Sequence, residues 1–124
     1  MSVILIVEDN EKNLKLVRDV LQVEGYETLE AGTAEDGLKI AREMKPALIL
    51  MDIQLPGMNG IEALKALRAA PATAKIPVIA ITASVMQQDR QQIMSAGFDG
   101  FIEKPVNLRG LLETVQQSLR TAKA

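Results

Sequence analysis

Apolar residues fall along the chain in five short runs, and longer stretches of mixed apolar and polar residues lie between them. The first, third and fourth runs are almost continuously apolar, which is typical of strands covered by helices on both faces of a sheet. The runs predict five β-strands, at Val3–Val7, Tyr26–Ala31, Ala47–Met51, Val78–Ile81 and Gly100–Ile102.

The stretches between the runs have helical periodicity, because their apolar residues recur every three or four positions. The apolar stripes are made of Leu14, Val17 and Leu21 in the first helix, Ile61, Leu64 and Leu67 in the third, and Leu108, Leu111, Leu112, Val115 and Leu119 in the last. Asn59 and Glu62 have the spacing of a helix-capping box, and Gly25 stands where a helix should end. Gly37 lies inside a predicted helix, at a cost of about 1 kcal/mol relative to alanine.

Five β-α units predict a single α/β domain over residues 1–124, built on an open, doubly wound parallel sheet with helices on both faces. No linker or low-complexity segment is present, so we expect no attached output domain. The predicted fourth helix, around Met86–Ala96, has few apolar anchors, mainly Val85, Ile93 and Met94. This composition indicates either an element of low stability or an ordinary polar surface helix.

The composition excludes several kinds of chemistry. The chain has no cysteine and no histidine, so disulfides, thiol nucleophiles, zinc-thiolate sites and imidazole catalysis are not available. Its formal net charge of -2 gives no basic surface for nucleic acid. The apolar run Val3–Val7 is too short for a signal peptide or a membrane span, so we expect a cytoplasmic protein without membrane insertion.

Polar residues occur where the predicted strands end, and ligands of such sheets bind beyond the carboxyl ends of the strands. These residues are Glu8, Asp9 and Asn10 after the first strand, Asp52 at the end of the third, Thr82 at the end of the fourth and Lys104 after the fifth. Three carboxylates at one sheet edge would repel one another unless a cation lay among them. Oxygen ligands without histidine or cysteine indicate Mg²⁺, with Mn²⁺ as an alternative.

Together these groups suit phosphoryl transfer. Asp52 is the candidate nucleophile, because a carboxylate can form an acyl phosphate. Asp9, with Glu8 behind it, would hold the metal ion. Lys104 would place its charge on a phosphoryl oxygen, and the Thr82 hydroxyl would move towards the phosphoryl group after transfer.

Each residue also has an ordinary structural interpretation when taken alone. An acidic pair after a strand is often a solvated helix start, and Asp52 before a Pro-Gly turn could be a turn cap. Thr82 could be an ordinary strand-end hydroxyl, Lys104 a surface lysine and Phe101 a core residue. The conjunction of these residue types at successive strand ends favours the functional interpretation.

Four segments carry a resemblance to a known family. The segments ILIVEDNEKN, ILMDIQLPGMNGIE, IAITA and FIEKP resemble the response-regulator receiver (CheY-like) family, and the resemblance covers the whole chain. It implies a flavodoxin-like (βα)5 fold with strand order 2-1-3-4-5.

The resemblance also implies a role for each site residue. Those roles are the acidic pair for Glu8 and Asp9, the phosphoacceptor for Asp52, the switch hydroxyl for Thr82, the invariant lysine for Lys104, the aromatic switch residue for Phe101, a metal-binding backbone carbonyl for Gln54 and a cis peptide bond for Pro105. Glu8 and Phe101 depart mildly from the commoner aspartate and tyrosine of the family.

The implied function is that of a single-domain response regulator of a two-component or phosphorelay system. Asp52 would accept a phosphoryl group from a sensor histidine kinase or a histidine phosphotransferase in a Mg²⁺-dependent reaction. Thr82 and Phe101 would then alter the surface of the fourth helix, fifth strand and last helix, which a downstream protein target would read. Such a chain is not a turnover enzyme, since it catalyses only its own phosphorylation and dephosphorylation, and it would be a monomer or a weak phosphorylation-dependent dimer.

Three alternatives have different signatures. A haloacid-dehalogenase-type phosphatase would need a second carboxylate two residues after the nucleophile, where this chain has Gln54. A flavodoxin-like FMN carrier would need a hydroxyl- and glycine-rich phosphate loop and aromatic residues around the flavin, but the chain has one tyrosine and no tryptophan. A degenerate receiver used only as a scaffold would not need to keep Asp9, Asp52 and Lys104 together.

Overall fold

A computed structural model shows five parallel strands in the order β2-β1-β3-β4-β5. The residues that it describes are 2–55, 57–82, 91, 93, 95–104 and 106–123. The strands are β1 (Val3–Val7), β2 (Glu27–Ala31), β3 (Leu48–Asp52), β4 (Val78–Thr82) and β5 (Gly100–Glu103). The predicted sheet, its strand order and the flavodoxin-like class are confirmed, and the strand bounds agree with the prediction to within one residue.

Helices cover both faces of this sheet. They are α1 (Glu11–Val23), α2 (Ala34–Met44), α3 (Gly60–Ala69) and the C-terminal helix (Leu108–Lys123). Of the predicted fourth helix, residues 91, 93, 95 and 96 are helical, and residues 83–90, 92 and 94 lie outside the described residues. No helix in the described part of the chain is long and apolar enough to cross a membrane.

Alternation along β1 divides the core into two layers, because successive side chains of a strand point to opposite faces. Leu5 and Val7 pack in the layer beneath α2 and α3, whereas Ile4 and Ile6 pack beneath α1 and the C-terminal helix. Every residue of β3 and β4 is buried, as their continuous apolar runs predicted. The carboxyl ends of these central strands are therefore packed between the two helical layers.

The apolar stripe of the C-terminal helix is shorter than predicted. Leu111, Val115 and Leu119 are buried and Leu112 is partly buried, but Leu108 is 45% exposed. Leu108 is the first residue of the helix, and helical spacing alone cannot show where the neighbouring elements stop covering a stripe.

Local signals set the helix ends as predicted. The Asn59 side chain accepts from the Glu62 amide at 2.9 Å, and the Glu62 carboxylate accepts from the Asn59 amide in return, which completes a capping box.

Gly37, which seemed unfavourable within α2, has a packing reason. A Cβ atom there would lie 2.8 Å from Cγ2 of Val7, so the missing side chain lets α2 approach β1 closely.

Candidate functional site

The first acidic pair is placed by the connection between β1 and α1. The Glu8 amide donates to the Ala31 carbonyl at 3.0 Å, which extends the β1–β2 pairing by one residue. The Asn10 side chain caps α1 by accepting from the amides of Lys12 and Asn13. Glu8 is therefore not needed at the helix start, and only 3% of its surface is exposed.

Asp52 is the last residue of β3 and is only 2% exposed. Its Oδ1 atom accepts a hydrogen bond from the Gln54 amide at 2.9 Å. This contact holds the carboxylate at a fixed angle to the strand end. Asp52 is thus not a simple turn cap, because its second oxygen faces other charged groups.

Lys104 joins the two buried carboxylates. Its Nζ atom lies 2.9 Å from Oε1 of Glu8 and 3.0 Å from Oδ2 of Asp52. Its amide donates to the Thr82 carbonyl at 2.7 Å, so the end of β4 fixes its backbone. The side chain is 17% exposed, and the interpretation of Lys104 as a free surface lysine is wrong.

A third carboxylate completes the acidic group. Glu8, Asp9 and Asp52 each offer an oxygen atom, and these atoms lie within 4.8 Å of one another. Asp9 is exposed and gives this group a side open to solvent. Three ionised carboxylates and one ammonium leave two uncompensated negative charges, and all the donors are hard oxygens. Both features fit a divalent cation such as Mg²⁺.

Burial and crowding of like charges act on Glu8 in particular. Burial, reinforced by the neighbouring Asp52 carboxylate, raises the pKa of Glu8 from 4.5 to about 7, against the opposing effect of Lys104. Burial disfavours the charged form of Lys104, but its contacts with Glu8 and Asp52 outweigh this effect and raise the pKa of the ammonium. Lys104 therefore stays positively charged, whereas Glu8 gains a proton near neutral pH when no other cation is bound.

Thr82 and Phe101 lie on neighbouring strands and on the same face of the sheet. Ala80 pairs with Phe101, and Thr82 follows Ala80 by two residues, which returns its side chain to that face. Thr82 is 4% exposed, and Phe101 is half-buried against the core beneath α2 and α3. Phe101 also borders a groove of about 340 Å³ with Glu103, Lys104, Asn107 and Thr114.

Two expectations, on the Gln54 carbonyl and on the peptide bond before Pro105, remain predictions. The structure brings the Gln54 amide to Asp52, while a metal-binding role for the Gln54 carbonyl remains a prediction. The predicted cis peptide bond before Pro105 lies outside the described residues.

Two features of this region were not predicted from the sequence, namely the capping role of Asn10 and the close packing of Gly60. The cap at Asn10 could have been recognised from its position before the first apolar stripe. Gly60, at the first position of α3, packs directly on the backbone of Asp52. A glycine at the start of a helix is weak evidence by itself for a close backbone approach.

Comparison with known proteins identifies the family. Residues 4–116 match the profile of the response regulator receiver domain. The chain belongs to this family. It is 43% identical over 119 residues to the polar-differentiation response regulator DivK of Brucella anthropi, an alignment that covers 96% of this chain and 97% of the relative.

Solved receiver domains have the same fold. A CheY-like receiver domain protein from Methanospirillum hungatei superimposes with a TM-score of 0.88 at 35% identity, covering 99% of this chain and 97% of that one. The receiver domain of a sensor histidine kinase from Pseudomonas aeruginosa also gives 0.88, at 30% identity, covering 95% and 97% of the two chains. That structure has a magnesium ion coordinated in its active-site cleft.

These matches place the chain among the receivers of two-component signalling, a family of signalling switches. The phosphatase and flavin-carrier alternatives are not supported by them. The remaining alternative, a degenerate receiver, differs from an active one only in its site. Here the acidic pair, Asp52 and Lys104 are all present, Lys104 contacts Glu8 and Asp52, and Asp9 lies close to both carboxylates.

Proposed function

We propose that Asp52 accepts a phosphoryl group in a Mg²⁺-dependent reaction, and that the phosphorylated receiver changes its contacts with other proteins. The observation that carries this proposal is the pairing of one ammonium, Lys104, with two buried carboxylates beside a third. A purely structural ion pair would be balanced, whereas this arrangement leaves negative charge at a solvent-facing edge.

The transfer itself needs few groups. A carboxylate oxygen of Asp52 attacks the phosphorus of a phosphohistidine, the O–P bond forms, and the N–P bond breaks with its electron pair going to the histidine nitrogen. The Gln54 amide holds Oδ1 and so limits rotation of the carboxylate during the attack. Lys104, already 3.0 Å from Oδ2, is placed to contact an oxygen of the incoming phosphoryl group.

Glu8, Asp9, Asp52 and the Gln54 carbonyl are the proposed metal ligands. When bound, Mg²⁺ (or Mn²⁺) would supply positive charge that offsets the charge of the phosphoryl oxygens. The donor chemistry of this chain and the magnesium ion in the related Pseudomonas receiver support the assignment. Ionised carboxylates are required, so the raised pKa of Glu8 makes metal binding depend on pH.

We propose that Thr82 and Phe101 convert phosphorylation into a change of surface. A charge-assisted hydrogen bond contributes about 1.5–3 kcal/mol, and moving a two-state equilibrium from 1:99 to 99:1 takes about 5.5 kcal/mol. One contact is therefore too weak, whereas two contacts, from Thr82 and Lys104, contribute about 3–6 kcal/mol, a range that includes the required value. Movement of Thr82 would let Phe101 turn inward, since both lie on one face of the sheet.

The proposed phosphodonor is a sensor histidine kinase or a histidine phosphotransferase, acting in the cytoplasm. The proposed reader of the phosphorylated state is a downstream protein that contacts β5, the C-terminal helix and the predicted fourth helix. The groove beside Phe101 lies on this surface. We propose no role in nucleic-acid binding, because the chain has no basic excess.

The proposal is tested by incubation with Mg²⁺ and acetyl phosphate, followed by intact-mass spectrometry. Wild type should gain one phosphoryl group, and Asp52→Asn should gain none. Asp36→Asn is the matched control, because Asp36 is exposed on α2 and is not one of the three carboxylates of the acidic group. The proposal would be contradicted if Asp52→Asn became phosphorylated, or if wild type did not become phosphorylated under these conditions.

A second variant separates transfer from switching. Thr82→Ala should keep most of the phosphorylation of Asp52, but the response of β5 should be lost. The measurement is the change in backbone amide chemical shifts on adding beryllium fluoride and Mg²⁺. If the Phe101 amide shifts as much in the Thr82→Ala protein as in wild type, the Thr82 hydroxyl does not couple the site to β5.

A further inference from the structure

Gly60 is the first residue of α3, and its backbone lies very close to the end of β3. A Cβ atom built at this position would lie 2.7 Å from the Asp52 carbonyl oxygen and 2.9 Å from Cα of Ile53. It would also lie 3.2 Å from Cγ of Met51. The two shorter contacts are with backbone atoms, so a change of side-chain rotamer cannot relieve them.

The strand cannot easily move away. β3 lies between β1 and β4, and Asp52 pairs with Ile81 in the parallel ladder. The Ile53 amide donates to the Ile81 carbonyl at 3.0 Å, so this pairing continues one residue beyond the strand. Displacement of the Asp52 peptide would break hydrogen bonds within a buried sheet.

The helix is also fixed. Ala63, Leu64 and Leu67 of α3 are buried in the core, and the capping box at Asn59 holds the first turn. The Gly60 amide donates to the Ile53 carbonyl at 3.1 Å, which closes the connection between β3 and α3. Any extra atom at residue 60 must therefore be accommodated mainly by the few residues between Asp52 and the helix.

Those residues include Gln54, whose amide donates to Oδ1 of Asp52 at 2.9 Å. A shift of this connection lengthens that hydrogen bond and releases the carboxylate from its present orientation. It also displaces the backbone of Gln54. The close approach at Gly60 is thus linked to Oδ1 of Asp52 through the hydrogen bonds of the Gly60 and Gln54 amides.

We infer that Gly60 is a positioning residue for Asp52, and that its lack of a side chain is required to orient the acceptor carboxylate for metal binding and phosphoryl transfer. This inference rests on the proposed function of Asp52. Alanine is otherwise more favourable than glycine within a helix, so helix propensity alone predicts that Gly60→Ala stabilises α3 and does no harm to the site.

The test compares Gly60→Ala with wild type at a temperature at which both are fully folded by circular dichroism. Mg²⁺ affinity is measured by calorimetry, and the rate of phosphorylation by acetyl phosphate is measured by mass spectrometry. Displacing groups that orient metal ligands weakens metal binding by about tenfold or more, and we expect a loss of this size. A merely structural role would lower the melting temperature and leave the Mg²⁺ affinity unchanged.

Gly32→Ala is the matched control, because a Cβ atom at residue 32 meets nothing within 4 Å. It should bind Mg²⁺ and accept phosphate as wild type does. If Gly60→Ala also has wild-type affinity and rate, the inference is wrong, although the proposed function stands. If wild type itself neither binds Mg²⁺ nor becomes phosphorylated, the proposed function fails first.

Asn59→Ala keeps the inference testable if Gly60→Ala does not fold. It adds no atom near Asp52 but removes the side chain that holds the first turn of α3. We expect a loss of Mg²⁺ affinity that is smaller than that of Gly60→Ala, because a loosened helix start orients the connection less well. Wild-type Mg²⁺ affinity in a folded Asn59→Ala protein would show that the start of α3 does not orient Asp52, and the inference would then be wrong.

Discussion

Two ion-pair networks lie at opposite ends of the sheet and are built differently. At the amino end, Arg68 of α3 pairs with Asp99 at 2.9 Å and donates to the carbonyls of Ile76 and Ala74. The same Asp99 oxygen accepts from the Val78 amide at 2.8 Å. This network is balanced, with one positive charge, one negative charge and hydrogen bonds to the surrounding backbone.

The network at the carboxyl end is not balanced. Lys104 faces both Glu8 and Asp52, which are almost completely buried, and Asp9 adds a third carboxylate nearby. Burial, reinforced by the neighbouring Asp52 carboxylate, disfavours the ionised form of Glu8, as the raised pKa of Glu8 reflects. The amino-end network therefore stabilises the fold, whereas the carboxyl-end network holds an unfavourable excess of negative charge that a cation can offset.

The largest expected effect is on the pH dependence of stability. The unfolded chain releases the Glu8 proton near pH 4.5, whereas the folded protein holds it to about pH 7. The contribution of Glu8 to the free energy of unfolding is thus fully present below pH 4.5 and lost as the pH rises through 7. We expect this loss to be about 3 kcal/mol in chelator, because each unit of pKa shift corresponds to about 1.4 kcal/mol.

The measurement is urea unfolding between pH 4.5 and 8, with Glu8→Gln as the matched control. The substitution keeps the shape of the side chain without a titrating group, so the difference between the two proteins isolates Glu8. With saturating Mg²⁺ the free energy of unfolding should instead rise with pH, because Mg²⁺ binding requires the ionised carboxylate. Parallel pH profiles of the two proteins in chelator would contradict the account of the carboxyl-end network.

The second prediction concerns the amino-end network. Arg68→Met keeps much of the side-chain volume but removes the guanidinium that pairs with Asp99 and donates to two carbonyls. We expect the free energy of unfolding to fall by about 2 kcal/mol at pH 7, with Mg²⁺ affinity unchanged. Urea unfolding and calorimetry check the two parts.

Arg18→Met supplies the control for this prediction. Arg18 pairs with Glu30 at the same distance of 2.9 Å, but among the described residues its side chain makes no hydrogen bond to the backbone. Exposed ion pairs contribute little, so we expect hardly any change in stability. Equal losses in the Arg68 and Arg18 variants would show that the backbone contacts of Arg68 do not matter.

The fold was predictable because its determinants are local and repeated. Continuous apolar runs in β1, β3 and β4 indicated strands buried on both faces, and helical stripes indicated their covering layers. The failure at Leu108 has the same origin, since a stripe shows which face is apolar but not how far its neighbours extend. Gly37 shows a second limit, because its contact with Val7 depends on the distance between two elements.

The site was predictable in its members but not in its contacts. Open parallel sheets bind ligands beyond the carboxyl ends of their strands, and this rule was enough to predict that Glu8, Asp52 and Lys104 lie together. No spacing along the chain shows that Lys104 bridges both carboxylates, or that the Gln54 amide holds Asp52. These contacts depend on side-chain rotamers and on the path of a connection, which the apolar pattern does not encode.

The smallest expected effect on the free energy of unfolding is that of Asp52→Asn, which should raise it, whereas Arg68→Met lowers it. Asp52→Asn retains an oxygen that can accept from the Gln54 amide but removes one buried negative charge beside Glu8. We expect the free energy of unfolding in chelator at pH 8 to rise by about 1 kcal/mol, because Lys104 and Glu8 then form a balanced pair.

The same substitution should lower the pKa of Glu8 part of the way towards 4.5, since the effect of Asp52 is removed and burial remains. Urea unfolding as a function of pH measures both consequences, and the exposed Asp36→Asn variant should show neither. A fall in stability as large as that of Arg68→Met would mean that the carboxyl-end network supports the fold as the amino-end network does. The distinction between the two ends of the sheet would then be lost.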